Sequence, residues 1–345
     1  MDVRIHLGLS RMGVTLDWNE ASNFHMYVSG QSGQGKSCFL KHCITQLPQQ
    51  GVRCIVFDYA GDLHTLSELS TGICVPCDCL DVRNQACINP FRTLFLQKDC
   101  PENHYDTAVR IAETILSACP IKGNLQQVCL RNTLKEYMDR GGAEFGFPGL
   151  VCQIQNDRKL AQTMAPALLR LQDLANLLPH HLQTHNWNLE QPGISVLRFD
   201  SLPNISAQTI MTQFMLADLW SEKLNRGLAD CPLVIVLDEC QRFRFTENSI
   251  FTRILREGRK YHFSGWFASQ WIDNKSTLKA LNQAALQAYF YPGDDQIYNL
   301  AKRLAHDGHS AENYRRLLRT LRVGEFLYID KSGRPVISRV PQRDK

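Results

Sequence analysis

The sequence predicts an α/β fold built on a mainly parallel β-sheet. Stretches of strand character alternate with stretches of helical spacing over most of the chain. The segment 233–237 is wholly apolar and ends in two acids, Asp238 and Glu239, as expected of a buried parallel strand that delivers polar groups to one edge of a sheet. A third observation is a glycine-rich loop that follows a short apolar run and precedes a helical segment.

The glycine-rich loop has the pattern G-x-x-x-x-G-K-S and consists of Gly30, Gln31, Ser32, Gly33, Gln34, Gly35, Lys36 and Ser37. Its glycines let the backbone curl so that the N–H groups point at a phosphate chain. We expect Lys36 to reach the β- and γ-phosphates and the Ser37 hydroxyl to hold Mg²⁺. Residues 38–44 contain neither Gly nor Pro and predict the helix whose N-terminus faces the anion. The loop therefore predicts a nucleoside triphosphate site.

Composition limits the class of protein. Apolar residues make up 44% of the chain and charged residues 21%, which is typical of a globular protein. The chain has no run of eighteen apolar residues, and its first residues lack the apolar core of a secretory signal. We therefore expect a cytoplasmic location. The formal net charge of +4 permits a nucleic-acid partner without requiring one.

The chain has thirteen cysteines, an odd number that favours reduced thiols over a disulfide framework. Several lie in apolar runs, as Cys54 and Cys129 do, where a thiol acts as a small hydrophobic group. The segment 74–79 contains three cysteines, and Cys87 and Cys100 follow it. Because no second C-x-x-C or histidine pair completes a tetrahedral ligand set, the sequence favours ordinary strand cysteines over a zinc site.

The pattern along the chain predicts three parts. Residues 1–24 alternate around a glycine turn and predict an N-terminal β-hairpin. Residues 25–103 and 182–345 carry the alternating strands and helices of the core. Residues 104–181 show helical spacing with few strand signals and predict a helical insertion between two strands of the sheet.

The acid pair gives the second half of the predicted site. Ligands of open α/β sheets bind at the carboxyl edge, so Asp238 and Glu239 are expected beside the glycine-rich loop. Asp238 can hold Mg²⁺ through a water, and Glu239 can orient and polarise the water that attacks the γ-phosphate. The alternative is a strand-ending acid pair that caps the next helix.

The order of the motifs favours ATP as the nucleotide. A strand that ends at Asp58 lies in the sequence between Lys36 and Asp238, so the two phosphate motifs need not lie on neighbouring strands. An inserted strand, with a glutamate beside the metal-binding aspartate, is the arrangement of RecA-like and AAA-like ATPases. The chain also lacks an N-K-x-D motif for reading guanine.

Two further features follow the acid pair. Gln270 ends the next apolar strand, where its amide can contact the γ-phosphate or the attacking water and act as a sensor. The basic residues between the two strands are Arg253, Arg256, Arg259 and Lys260. Arg253 fits a solvated helix face, whereas Arg256 or Arg259 is expected to act as an arginine finger in a neighbouring subunit's ATP site. Such a finger implies an oligomer.

Seven segments together resemble the HerA/FtsK superfamily of ring-forming, DNA-pumping ATPases, and HerA most closely. They are residues 30–37, 57–62, 88–91, 236–239, 256–261, 268–270 and 321–326. The glycine-rich loop, or P-loop, occurs in many families. The R-E-G-R-K-Y segment followed by A-S-Q is far more specific.

The resemblance implies a RecA-like motor core, usually hexameric, with ATP bound between subunits and duplex DNA in the central channel. It assigns family roles to Lys36, Ser37, Asp58, Glu239, Arg259 and Gln270. Two departures stand out. Only about 24 residues precede the first core strand, so the family's usual N-terminal β-barrel is missing or reduced to one hairpin. Asp62 follows Gly61 where the family commonly has Glu.

The sequence thus predicts an ATP-hydrolysing DNA translocase or helicase-like motor, acting as a homo-oligomeric ring with a nuclease or another effector. One alternative is a coupling ATPase of a conjugation or secretion apparatus, although such proteins usually carry membrane helices. Another is a nucleotide-gated regulatory or scaffold subunit of an anti-phage defence complex. The arginines at 315, 316, 319 and 322 fit a DNA-contacting face and an ordinary solvated helix face equally well.

Overall fold

The structure is a computed structural model. It describes residues 3–19, 23–63, 65–66, 76–86, 88–118, 123–177, 185–202, 204–227, 230–305, 310–329 and 334–341.

A single eleven-stranded sheet forms the centre of the fold. Its strands are β1 Arg4–Ser10, β2 Thr15–Asn19, β3 Met26–Ser29, β4 Arg53–Asp58, β5 Cys77–Asp81, β8 Gly193–Arg198, β9 Leu233–Leu237, β10 Phe263–Ser269, β11 Leu286–Phe290, β12 Glu325–Ile329 and β13 Pro335–Arg339, and a separate two-stranded ladder is formed by β6 Phe95–Gln97 and β7 Cys100–Pro101. The spatial order is β2-β1-β13-β12-β11-β3-β10-β9-β4-β8-β5. Strands β11, β3, β10, β9 and β4 pair in parallel, and β12, β13, β1 and β2 add antiparallel pairs at one side.

Ten α-helices connect the strands in the described part of the chain. They are α1 Lys36–Ile44, α2 His104–Ala118, α3 Asn124–Asp139, α4 Gly146–Asn156, α5 Arg158–Leu177, α6 Ile205–Arg226, α7 Ile250–Glu257, α8 Lys275–Leu281, α9 Asp294–Leu304 and α10 Ala311–Arg319. The predicted α/β fold with a mainly parallel sheet is confirmed.

Strand register aligns the carboxyl ends of the central strands. Ser29 at the end of β3 is level with Ser269 of β10 and with Tyr289 of β11. Leu237 of β9 is level with Phe267 of β10, and it is also level with Phe57 of β4. The turns that follow these strands therefore meet at one edge of the sheet. The strand inserted between β3 and β9 is β10, whereas β4 lies on the far side of β9.

An aromatic cluster holds helix α1 against one face of the sheet. Phe39 of α1 is fully buried, with its ring centroid 5.8 Å from that of Phe290 and 4.8 Å from that of Phe326. These residues belong to the main hydrophobic core, together with Met26 and Val28 of β3. Burial of rings of this size is worth roughly 1.5–3 kcal/mol each, so α1 is packed firmly behind the glycine-rich loop.

The described residues form two compact units. The first lies within Met1–Cys79, Leu189–Val196 and Cys231–Lys345, and the second within Leu80–Asn188 and Leu197–Asp230. Every predicted nucleotide-site residue belongs to the first unit.

The second unit contains helices α2 to α6 and the ladder of β6 and β7, so it includes residues on both sides of 104–181. The predicted boundaries of the helical insertion stay a prediction. Inside this unit, Arg92 Nε lies 2.5 Å from Asp218 Oδ1 and Arg110 Nε donates to Glu102 Oε1 at 2.8 Å. The first pair joins the segment before β6 to helix α6, and the second joins helix α2 to the residue that follows β7. Both carboxylates are buried, so loss of either arginine would leave a buried charge without its partner.

Of the ten cysteines in the described part of the chain, four lie on strands and the others on helices, turns or loops. Cys54 is buried on β4, and burial raises the pKa of its thiol. Cys77 and Cys79 lie on β5, whereas Cys74 and Cys87 fall outside the described residues. Within the described ranges, His, Cys, Asp and Glu side chains nowhere gather in threes in a way that could hold a metal ion. Among the helices described above, none combines the length and the apolar character needed to cross a bilayer.

Candidate nucleotide site

Two glycines allow the P-loop to pass close to its neighbours. A Cβ atom at Gly30 would lie 2.5 Å from Cβ of Phe290, and one at Gly35 would lie 3.1 Å from Cα of Gly324. Gly35 also has a φ of 105°, a conformation that glycine adopts without strain. The start of the loop is fixed by a 2.8 Å hydrogen bond from Gln31 N to Tyr291 O. The loop is therefore preorganised on the sheet edge.

Lys36 is the first residue of α1, and its side chain curls back into the P-loop. The Lys36 ammonium donates to Gly30 O at 2.7 Å and to Gln31 O at 3.0 Å. Burial lowers the pKa of Lys36, and the nearby carboxylates of Asp238 and Glu239 oppose that shift. The three charged groups therefore lie close together.

Asp238 and Glu239 follow β9 in a strained turn. Asp238 is buried, and its Oδ1 accepts a 2.9 Å hydrogen bond from Glu239 N. Burial raises the pKa of Asp238, against the lowering effect of that hydrogen bond. Glu239 has φ 59° and ψ 36°, the left-handed region that side chains seldom occupy. Such strain is typical of functional sites.

Three side chains surround the Glu239 carboxylate. Gln270 Nε2 donates to Oε1 at 3.2 Å, and Gln241 Nε2 donates to Oε2 at 2.6 Å. The Arg242 Nε atom lies 3.8 Å from Oε2. The contact of Gln270 follows from its position at the end of the neighbouring strand. The sequence did not predict Gln241 and Arg242 as site residues, although they follow the acid pair within three residues.

The oxygen ligands at the site suit Mg²⁺. Ser37 lies in the first turn of α1 next to Lys36, and Asp238 supplies a buried carboxylate. Hydroxyl and carboxylate oxygens fit this hard cation, which is commonly held by one or two carboxylates, waters and the phosphates of its substrate. A cluster of three protein carboxylates is not needed for such a site. Ser37 and Asp238 are the residues that would hold the ion.

Asp58 has a defined structural task at the same edge. Its carboxylate is buried, with Oδ1 accepting from Gly61 N at 2.9 Å and Oδ2 accepting from Leu63 N at 3.1 Å. Asp58 therefore caps the turn after β4, and its negative charge contributes to the raised pKa of Asp238. A direct contact of Asp58 with nucleotide stays a prediction.

The candidate arginine fingers lie elsewhere. Arg256 is in the last turn of α7, 3.5 Å from Glu247, and the exposed Arg259 follows it. The segment then enters β10 at its amino end, where a Cβ on Gly258 would lie 2.2 Å from Phe263 O. Strand β10 has seven residues, so its two ends are about 20 Å apart. Arg259 thus lies at the edge of the sheet opposite the P-loop of its own chain.

Fold and site together define a RecA-like P-loop ATPase. Residues 5–219 match the family model described as Helicase HerA, central domain. The chain belongs to this family, and the resemblance inferred from the sequence is confirmed.

Solved structures extend the likeness over nearly the whole chain. VirB4 of Thermoanaerobacter pseudethanolicus aligns with a TM-score of 0.75 and 14% identity, covering 98% of this chain and 96% of that one. The plasmid coupling protein TrwB in complex with ADP and Mg²⁺ aligns with a TM-score of 0.63 and 14% identity, covering 98% and 90%. TrwB with a non-hydrolysable ATP analogue aligns with a TM-score of 0.63 and 15% identity, covering 94% of this chain and 86% of that one. These similarities concern the fold. No curated protein sequence matches the chain significantly.

Proposed function

We propose that this protein is an ATP-hydrolysing motor subunit that translocates DNA, in the manner of a helicase-like translocase. Copies of the chain assemble into a homo-oligomeric ring, hexameric as the family resemblance implies, around duplex DNA. A separate effector, such as a nuclease, uses the motor. Membership of the HerA family and the grouping of Lys36, Asp238, Glu239 and Gln270 support the proposal.

One observation carries the proposal furthest: the charged groups of the site are divided between opposite edges of the sheet. Lys36 and Glu239 are at the carboxyl edge, and Arg259 is at the amino edge. Arg259 of a single chain therefore does not reach that chain's own site as a finger. A head-to-tail neighbour can supply this finger, and repeated head-to-tail contacts form a ring when the rotation between neighbours closes.

Each residue has a defined role in this scheme. Lys36 exchanges its carbonyl partners for phosphate oxygens, and the P-loop N–H groups bind the rest of the phosphate chain. Ser37 and Asp238 would hold Mg²⁺, which would neutralise charge on the phosphates. Glu239 takes the proton of the attacking water, while Gln270 senses the γ-phosphate. Arg259 or Arg256 of the neighbouring subunit stabilises charge on the transferred phosphoryl group.

The test is steady-state ATP turnover with and without duplex DNA. A motor hydrolyses ATP faster on DNA, and the Lys36→Ala variant, which lacks the phosphate-binding ammonium, serves as the inactive control. An ATP turnover rate that is the same with and without DNA favours the nucleotide-gated regulatory subunit instead. Mass measurement with and without ATP checks the ring, since a stable monomer in ATP contradicts a finger supplied in trans.

A coupling ATPase is the second candidate. Its support is the fold shared with VirB4 and with the conjugative coupling protein TrwB over at least 94% of this chain. Comparing single-stranded with double-stranded DNA as the stimulant separates the two. Turnover stimulated by single strands alone favours the coupling ATPase.

A further inference from the structure

The loop of residues 321–324 lies directly against the P-loop. Gly324 N donates a 2.9 Å hydrogen bond to Gln34 O, and a Cβ on Gly35 would lie only 3.1 Å from Cα of Gly324. Gly324 itself has a φ of 82°, so glycine suits both sides of this contact. The 321–324 loop is therefore a second wall of the nucleotide site.

This wall is held rigidly from several directions. Arg11 of the N-terminal hairpin donates two hydrogen bonds to the largely buried Glu325 carboxylate, at 2.5 and 3.2 Å. Oε2 of Glu325 also accepts from Arg322 N at 3.0 Å, and Val340 N donates to Gly324 O at 3.0 Å. The backbone of the 321–324 loop is thus fixed before any ligand arrives.

One side chain on this rigid wall is apolar and points to solvent. Val323 is 64% exposed, whereas Leu321, two residues earlier, is 8% exposed and packs inward. A single exposed valine is unremarkable on most surfaces. Here it stands on an anchored loop that touches the P-loop.

The topology fixes which part of a nucleotide reaches this wall. Strand β3, which leads into the P-loop, is flanked by β10 on one side and β11 on the other. Glu239 and Gln270, which lie at the γ-phosphate in the proposed function, are on the β10 side. The 321–324 loop precedes β12, beyond β11. A phosphate chain with its γ end at Glu239 therefore directs its nucleoside end toward the 321–324 loop.

We propose that the 321–324 loop is the nucleoside subsite, with Val323 packing against a face of the purine ring. The inference rests on the proposed function for the position of the γ-phosphate. A valine side chain offers no hydrogen-bonding group, so it contacts the ring face and does not read the edge that distinguishes adenine from guanine. The anchoring by Arg11 gives the N-terminal hairpin a role in nucleotide binding.

The test compares two ligands that share phosphates and differ in the base. Dissociation constants of Mg·ADP and Mg·tripolyphosphate are measured by calorimetry for the wild-type protein, Val323→Ser and Val323→Leu. Val323→Ser is expected to raise the dissociation constant of ADP about three- to tenfold and to leave that of tripolyphosphate unchanged, because only the base loses apolar contact. Val323→Leu, with a larger apolar side chain, is expected to bind ADP at least as tightly as wild type. Val128→Ser, at a 52% exposed valine of helix α3 in the second unit, is the matched control.

The outcomes separate the subsite from the function. If Val323→Ser weakens the binding of both ligands equally, or does not change the binding of ADP, the nucleoside subsite is overturned and the phosphate site is unaffected. A wild-type protein that binds neither ligand overturns both proposals. In turnover assays Val323→Ser is expected to raise the KM for ATP and to keep kcat, since no group at the γ-phosphate is changed.

Discussion

Gln270 Nε2 donates a 3.2 Å hydrogen bond to Oε1 of Glu239, joining the ends of neighbouring strands β10 and β9. The predicted sensor therefore touches the predicted base before any nucleotide is bound. A displacement of Gln270 on ATP binding or phosphate release would change the hydrogen bonding of Glu239 directly. This contact is a short physical route between nucleotide state and water activation.

Replacing Glu239 by Gln tests the general base. The amide keeps the shape of the side chain but cannot take a proton, so ATP turnover is expected to fall by about 10²- to 10⁴-fold. ATP binding should stay within a few-fold of wild type, because Lys36 and the P-loop are unchanged. Phosphate release and equilibrium binding are the two measurements. Undiminished hydrolysis by this variant would falsify the assignment of the base.

Gln241 is expected to position Glu239 rather than to touch the substrate. Its 2.6 Å hydrogen bond holds Oε2, so Gln241→Leu removes one of the two amide donors that orient the carboxylate. We expect kcat to fall by about tenfold with an unchanged KM for ATP, as for an interaction worth about 1 kcal/mol or more that acts on the chemical step. A rise in KM with normal kcat would assign Gln241 to ATP binding instead.

Mixing two inactive variants tests the finger in trans. A subunit with Arg259→Ala still carries the base Glu239, and a subunit with Glu239→Gln still carries the finger Arg259. In a random one-to-one ring, about a quarter of the interfaces combine an intact base with an intact finger, so about that fraction of wild-type turnover should return. The same mixture with Arg256→Ala shows which arginine acts. Mixtures no more active than their parts argue against a neighbour's arginine.

His25 predicts a defined acid sensitivity of folding. The ring is buried at the start of β3, its Nδ1 accepts a 2.9 Å hydrogen bond from Gly265 N, and burial lowers its pKa to about 4. Above pH 6.5 the imidazole is neutral in both folded and unfolded chains. Between pH 6.5 and 4 only the unfolded chain takes up the proton, so His25 lowers the free energy of unfolding by up to about 3 kcal/mol over this range.

The measurement is the difference in pH dependence between wild type and His25→Asn in denaturant unfolding. The variant is less stable overall, because the smaller side chain leaves a cavity. Its unfolding free energy should nevertheless fall less steeply between pH 6.5 and 4. Parallel curves for the two proteins would mean that His25 titrates normally in the fold.

The central sheet and the phosphate-binding half of the site could be predicted because their signals are local. The glycines preceding Lys36 meet a backbone requirement, and the acids after 233–237 end a buried strand. The identity of the inserted strand as β10 could not be predicted, since strand order depends on contacts between distant segments. The left-handed turn at Glu239, and with it the contact of Gln241, depends on tertiary packing that no local pattern specifies.

The pairing of Arg11 with Glu325 shows the same limit. The two residues are 314 positions apart, and each looks like an ordinary surface charge in the sequence. Only the sheet order, which places β1 beside β13 and β13 beside β12, brings them together. The sequence predicted the hairpin that carries Arg11 without indicating what the hairpin supports.

The pairing of β1 with β13 also affects how the protein is made. Leu9 is level with Arg339, so the first strand acquires this partner only after about 330 further residues have been synthesised. Until then β1 and β2 form a hairpin with an open edge, and the wall beside the P-loop lacks its anchor. Closing so long a loop late favours slow completion of the sheet. The 321–324 loop can therefore become rigid only after β13 has been synthesised.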